Sequence, residues 1–196
     1  MEHATTAPHP ASHHPPGDLA IWVFILAELL AFGVFFTAYG FARGANRELF
    51  DSLQPTLDRN AGALNTLFLI TSSWCVARAV DAVTHRDDGH AGSLWLLGGL
   101  ACGGGFLTVK VMEYAEKFAA GISLSTNTFY MFYLSLTFFH FMHVILGMVI
   151  LTVLAWQTRQ GLYGPGRANG LESGGAYWHM VDLVWIILFP LVYVMR

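Results

Sequence analysis

Residues 19–39 read LAIWVFILAELLAFGVFFTAY, an apolar run whose only charged side chain is Glu28. At about 20 residues per crossing, this run is long enough to span a bilayer once. A carboxylate at bilayer depth costs at least about 2.5–3.5 kcal/mol on insertion scales, so it normally faces a protein interior and has a partner there. The interpretation of this chain therefore depends on what surrounds Glu28.

The composition is that of a membrane protein. Of the 196 residues, 55% are hydrophobic and 12% are charged, whereas charged residues make up about 25% of soluble domains. Four further apolar stretches are each long enough to cross a bilayer: residues 61–83, 93–114, 128–156 and 177–195. We therefore predict an all-α, polytopic membrane protein, a bundle of five transmembrane helices.

The first 17 residues differ from the rest of the chain, because they hold four of the nine histidines and four of the seven prolines. Proline breaks helices and the segment is polar, so we expect a disordered tail at residues 1–17 and one membrane domain at residues 18–196.

The net charge of −3 and the lack of a basic patch argue against nucleic acid as a partner. The lipid bilayer is the expected environment.

Small and polar residues at helical spacing predict tight contacts between the helices. Gly99 and Gly103 form a small-xxx-small pair, which permits close approach of two helix backbones. Two pairs of polar residues, each seven positions apart on a shared face of the second span, can form hydrogen bonds to neighbouring helices: Asn65 with Ser72, and Thr66 with Ser73.

Depth along the predicted helices indicates partners for Glu28. At about 1.5 Å per residue, Glu28 lies roughly 14 Å from the N-terminal side of the bundle. His140 and His143 reach a similar depth if the fourth helix is tilted or ends near Leu151. An imidazole N–H can donate to a carboxylate, or one proton can lie between the two groups. We predict that Glu28 faces His140 or His143 in a buried protonatable pocket.

Two further pairs of ionisable residues have i, i+3 spacing. Lys110 and Glu113 are expected to neutralise each other, and His179 and Asp182 share a face on which they can bond each other or a neighbour. The buried polar groups are compatible with three roles: fastening of helices, a proton relay, and ligation of haem or a metal. The sequence contains no Cys-x-x-Cys-His motif, which is the pattern of c-type haem attachment.

Taken in order, five motifs resemble those of haem–copper oxidase subunit III. They are the helix around Glu28, Leu64-Asn65-Thr66 with Ser72-Ser73, the pair Glu113-Tyr114, the His-x-x-His-Val-x-x-Gly stretch at 140–147, and the Trp-His-x-x-Asp-x-x-Trp stretch at 178–185. Two parts of the sequence depart from the pattern: Lys110 stands where the family usually has glutamine, and the loop at residues 121–127 replaces the family's usual Asp-Gly-Ile-Tyr-Gly-Ser type of loop.

The resemblance implies a non-catalytic, multi-pass subunit in a bacterial cytoplasmic membrane. Such a subunit docks on a larger catalytic subunit and supports its assembly, stability or proton uptake. The resemblance further implies no catalytic residue, cofactor or metal held by this chain, haem with copper or iron in the partner, and phospholipid as a candidate ligand. The polar residues of the family motifs are Lys110, Glu113, Tyr114, His179 and Asp182.

Within this family, the chain is most similar to the branch associated with bacterial nitric oxide reductases, the NorE-like branch, which implies a role in denitrification. This similarity depends on residues 16–19, Ser72-Ser73-Trp74, Lys110, the loop at residues 121–127, and the lack of two N-terminal helices that larger subunits III have. The alternative is subunit III of a cytochrome c or quinol oxidase in aerobic electron transport. More distant alternatives are a stand-alone b-type membrane cytochrome and a small proton-coupled transporter.

Overall fold

Six α-helices account for most of residues 19–195, the part of the chain that this computed structural model describes. They are α1 (Leu19–Ala45), α2 (Arg47–Leu53), α3 (Arg59–His85), α4 (Gly89–Ala119), α5 (Thr128–Arg159) and α6 (Asn169–Phe189). A 3₁₀ turn, Gln54–Thr56, follows α2, and a π-helical turn, Pro190–Val194, continues α6. No strand occurs in this range. The predicted tail at residues 1–17 lies outside the described residues.

Five of the elements are long and apolar enough to cross a membrane: α1, α3, α4, α5, and α6 together with its π-helical turn. This confirms the predicted all-α bundle of five spans, and the chain is a multi-pass membrane protein. The helices are longer than predicted, because polar residues at their ends continue the backbone hydrogen bonds beyond the apolar stretch. The short helix α2 was not predicted.

Polar side chains cap three of the spanning helices at their N-termini. Asp58 accepts hydrogen bonds from the backbone N–H groups of Asn60 and Ala61 at the start of α3, at 2.8 and 3.2 Å. Asp88 does the same for α4 and Asn127 for α5, at 2.8 and 2.9 Å. Each cap satisfies an N–H group that has no partner within its own helix, so it fixes where the helix begins.

The helix α6 is central in the bundle, and α1 is peripheral. Of the most apolar window of each helix, 56% is buried for α6 and only 11% for α1. The buried residues of α1 are Ile25, Phe32 and Tyr39, which recur every seven positions and therefore lie on one narrow face. This face packs against α5 and α6, and the other residues of α1 are half-buried or exposed.

Glycines allow close packing at two different interfaces. Gly99 faces α3, where the Ser72 hydroxyl donates to the Gly99 carbonyl at 2.7 Å. Gly103 instead lies under the ring of Trp178 from α6, and so does Gly147 of α5; a Cβ atom added to them would lie 3.1 and 2.7 Å from that ring. The predicted small-xxx-small pair therefore serves two contacts rather than one.

Three of the four polar residues singled out on α3 form the predicted bonds to other helices. Besides Ser72, Thr66 accepts from the indole N–H of Trp185 at 3.0 Å, and Ser73 bonds His179. Asn65 does not follow this pattern. It is fully buried, yet its amide has no hydrogen-bond partner within residues 19–195.

Candidate functional site

Glu28 of α1 contacts His143 of α5. The Glu28 Oε2 and His143 Nε2 atoms are 2.8 Å apart, and the two side chains are 20% and 10% exposed. The rings of Phe32 and Phe139 lie 5.2 and 4.6 Å from the imidazole, measured between ring centroids. The predicted contact between Glu28 and one of the two histidines is therefore present, and His143 is the partner.

The hydrogen bonds of His143 determine how many protons this pair holds. Its Nδ1 atom lies 2.7 Å from the Phe139 carbonyl oxygen, which can only accept, so Nδ1 carries a proton. The 2.8 Å contact between Nε2 and the carboxylate then also needs a proton, on either atom. The pair is thus a neutral acid beside a neutral imidazole or a carboxylate beside an imidazolium, and in both forms one proton is shared.

His140 lies one helical turn earlier on α5 and is not a partner of Glu28. Its Nε2–H donates to the Val181 carbonyl of α6 at 3.0 Å, and the rings of Phe106 and Trp185 lie 5.6 and 5.2 Å away. A step of three residues turns the side chain by about 60° around the helix, which directs His140 toward α6 rather than α1. The Nδ1 atom of His140 has no hydrogen-bond partner within the described range.

A second polar site lies near the C-terminal end of α4. Lys110 Nζ donates to Glu113 Oε2 at 2.9 Å and to the Tyr193 hydroxyl at 2.6 Å. The hydroxyls of Tyr133 and Tyr193 donate to the other carboxylate oxygen, Oε1, at 2.6 and 2.7 Å. The two charged side chains are 0% and 4% exposed. The predicted pairing of Lys110 with Glu113 is confirmed.

Four aromatic rings surround the Lys110 ammonium group. Its nitrogen lies between 5.2 and 5.4 Å from the ring centroids of Tyr114, Tyr133, Trp185 and Tyr193. Ring faces at this distance attract a cation, the more so where water is excluded. The lysine is therefore held by one carboxylate, one hydroxyl and the rings, and the site as a whole is neutral, as burial in a membrane requires.

Sequence reasoning missed Tyr133 and Tyr193 as members of this site. Tyr133 lies on α5, and Tyr193 lies in the π-helical turn after α6. Both stand in apolar runs, where tyrosine is usual at the membrane interface. One signal in the sequence could have placed them in this site: both tyrosines are predicted to lie at the same depth as the end of α4 that carries Lys110 and Glu113. Tyr114, which the motif included, contributes its ring to the site rather than a hydrogen bond to the carboxylate.

His179 of α6 contacts Ser73 of α3, whereas Asp182 forms no side-chain hydrogen bond within residues 19–195 that meets the usual distance and angle limits. The Ser73 hydroxyl is 2.5 Å from His179 Nδ1. Asp182 is buried, and its Oδ1 atom has no partner within residues 19–195. Of the two options that the sequence left open, a bond between the two residues or a bond to a neighbour, His179 forms the second. Among the described residues, no group of three or more His, Cys, Asp or Glu side chains is arranged to hold a metal ion.

Comparison with known proteins identifies the family. Residues 9–196 match the model of the family described as cytochrome c oxidase subunit III. The chain is 32% identical over 193 residues to cytochrome c oxidase subunit 3 of Thermostichus vulcanus, covering 98% of this chain and 94% of that one. It is 28% identical to quinol oxidase subunit 3 of Bacillus subtilis, covering 90% and 86%.

A third relative has a different organisation. The chain is 35% identical over 180 residues to haem–copper oxidase subunit I+III of Aeropyrum pernix, covering 89% of this chain and 22% of the relative. The family match and the five spans agree with one another. The chain belongs to the cytochrome c oxidase subunit III family.

Proposed function

We propose that this chain is a non-catalytic subunit of an oxygen-reducing haem–copper oxidase, one that accepts electrons from cytochrome c or from a quinol. The observation that carries the proposal is similarity along nearly the whole chain to relatives named subunit 3 of such oxidases. Haem and copper would belong to the catalytic subunit, and the chain would support the assembly, stability or proton uptake of that subunit.

A nitric oxide reductase as the partner is the second candidate. Ser72-Ser73-Trp74, Lys110 and the loop at residues 121–127 favour it. The length of the chain does not favour this candidate, because an oxidase subunit has a similar length. The chain covers 94% of cytochrome c oxidase subunit 3 of Thermostichus vulcanus. With this partner, the catalytic subunit would hold haem and iron. The two candidates differ in the gas that the complex consumes.

Within the complex, the Glu28–His143 pair would act as a buried protonatable pocket. It holds one proton between two groups that are each largely buried, and a proton shared in this way can move between the two atoms without leaving the pair. His143 has both ring nitrogens engaged, by the Phe139 carbonyl and by Glu28. This arrangement leaves no nitrogen of His143 for a haem iron.

Purification of the tagged chain from its own membranes in mild detergent tests the proposal. We expect a haem- and copper-containing subunit to co-purify, and deletion of the chain to lower oxygen consumption by the membranes. Loss of nitric oxide consumption, with iron in place of copper in the co-purified subunit, would favour the second candidate. If no haem-containing subunit co-purifies and neither gas is consumed more slowly, the accessory role is wrong.

A further inference from the structure

One polar residue lies on an otherwise apolar outer surface. His179 is exposed, and it shares a face of α6 with Leu183 and Ile187, which are 48% and 45% exposed. Ser73, its hydrogen-bond partner, is next to Ile70 and Trp74 on α3, which are 47% and 55% exposed. We call these exposed residues of the two helices the α3–α6 face.

This face lies at the depth of the hydrocarbon core. Ser73 comes five residues before Arg78 and fourteen residues after Arg59, distances of about 7 and 21 Å along the helix. His179 comes seven residues after Glu172 at the start of α6, or about 10 Å. The histidine is therefore inward of Glu172 on α6, and its partner Ser73 lies between two arginines of α3.

The hydrogen bonds of His179 leave one ring nitrogen without a partner. Nδ1 is bonded to Ser73, and this bond holds the ring at its depth instead of letting it reach the headgroups. Nε2 has no partner within residues 19–195. Ionisable side chains in membrane helices almost always face a protein interior or water, and a polar group that lacks a partner in hydrocarbon is costly.

We infer that the α3–α6 face is the docking surface for a transmembrane helix of the catalytic subunit, and that His179 Nε2 forms a hydrogen bond with a polar side chain of that helix. This inference rests on the proposed function. Acyl chains cannot satisfy Nε2, whereas a polar side chain at matching depth can. The Aeropyrum pernix relative, named subunit I+III, joins both subunits in one chain.

Photo-crosslinking tests which molecule covers this face. The photoreactive residue p-benzoylphenylalanine replaces Leu183 in the full-length chain, in cells that produce the whole complex. Leu146 on the outer side of α5 is the matched control, since the two leucines are 48% and 43% exposed. We expect position 183, and not position 146, to crosslink to the haem-containing subunit. Adducts of position 183 with lipid alone, or with a second copy of this chain, would overturn the inference.

The substitution His179→Leu provides a second measurement. If lipid covered the face, leucine would be tolerated and the complex would be retained. Loss of the hydrogen bond across the interface should instead reduce the co-purified haem-containing subunit about fivefold, with the amount of this chain in the membrane unchanged. His90→Leu, at an exposed position at the start of α4, is the control and should have no effect.

The outcomes separate the two proposals. If the wild-type chain co-purifies no haem-containing subunit, the proposed function is wrong, and this inference is wrong with it. If the wild-type chain does co-purify that subunit while His179→Leu retains the wild-type amount, the proposed function stands and only the docking surface is wrong.

Discussion

Replacing Lys110 by methionine should destabilise the chain strongly. Lys110 donates two hydrogen bonds, to Glu113 and Tyr193, and both charged side chains are almost completely buried. Methionine keeps most of the volume but removes the positive charge. The carboxylate of Glu113 then stays buried without a counter-charge, which typically costs about 3–5 kcal/mol. The two tyrosine hydroxyls that donate to it offset only part of this cost.

The loss of stability is measured as the change in the free energy of unfolding, by titration with sodium dodecyl sulfate in mixed micelles. Lys117→Met is the matched control, because Lys117 lies on the same helix and donates one exposed hydrogen bond, to the Thr56 carbonyl. Lys117→Met should lower the free energy of unfolding by no more than about 1 kcal/mol. Adding Glu113→Gln to Lys110→Met should restore at least about 1 kcal/mol, since a neutral amide oxygen still accepts from both tyrosines.

Two results would refute this reasoning. If Lys110→Met were no more destabilising than Lys117→Met, the ion pair would not hold the end of α4 to its neighbours. If the double variant were less stable than Lys110→Met by the full effect of Glu113→Gln alone, the two residues would contribute independently, and the buried charge would not be the cause of the loss.

Two other substitutions test the rest of the bundle. Glu28→Gln keeps a hydrogen bond to His143 Nε2 but removes the shared proton. The free energy of unfolding in detergent should therefore change by less than about 1 kcal/mol, while the turnover of the partner enzyme falls. If stability and turnover were lost equally, Glu28 would only hold two helices together. Gly147→Ala places a Cβ atom 2.7 Å from the Trp178 ring, whereas Gly104→Ala meets nothing within 4 Å. The former should lower the thermal unfolding midpoint and the latter should not, and equal midpoints would contradict the packing of Trp178.

The sequence was sufficient to predict the five spans and to limit the partner of Glu28 to two histidines, because both depend on position along a helix. Apolar length determines a span, and depth limits the residues that a carboxylate can meet. Depth alone did not separate His140 from His143. The choice depends on rotation around α5, and an apolar helix that packs on several sides gives little periodicity from which to read that rotation.

The aromatic surroundings of Lys110 could not be predicted in the same way. Tyr193 reaches the lysine because Pro190 begins a π-helical turn after α6, and the Val192 carbonyl accepts from the buried amide of Gln54 at 3.0 Å. The position of this turn depends on a residue 138 positions earlier in the chain. The sequence also could not predict that His179 Nε2 lacks a partner, since only the packed structure shows which face of α6 no other helix covers.

The order of synthesis gives the Lys110 site a further property. Lys110 and Glu113 enter the membrane together on one helix, three residues apart, so each has a counter-charge from the moment of insertion. Tyr193, which bonds both residues, is synthesised 83 residues after Lys110. A ribosome must therefore complete almost the entire chain before the site closes. A nascent chain that ends before Pro190 would present an open, charged site within the bilayer, a defect by which a membrane protease could distinguish incomplete chains from finished ones.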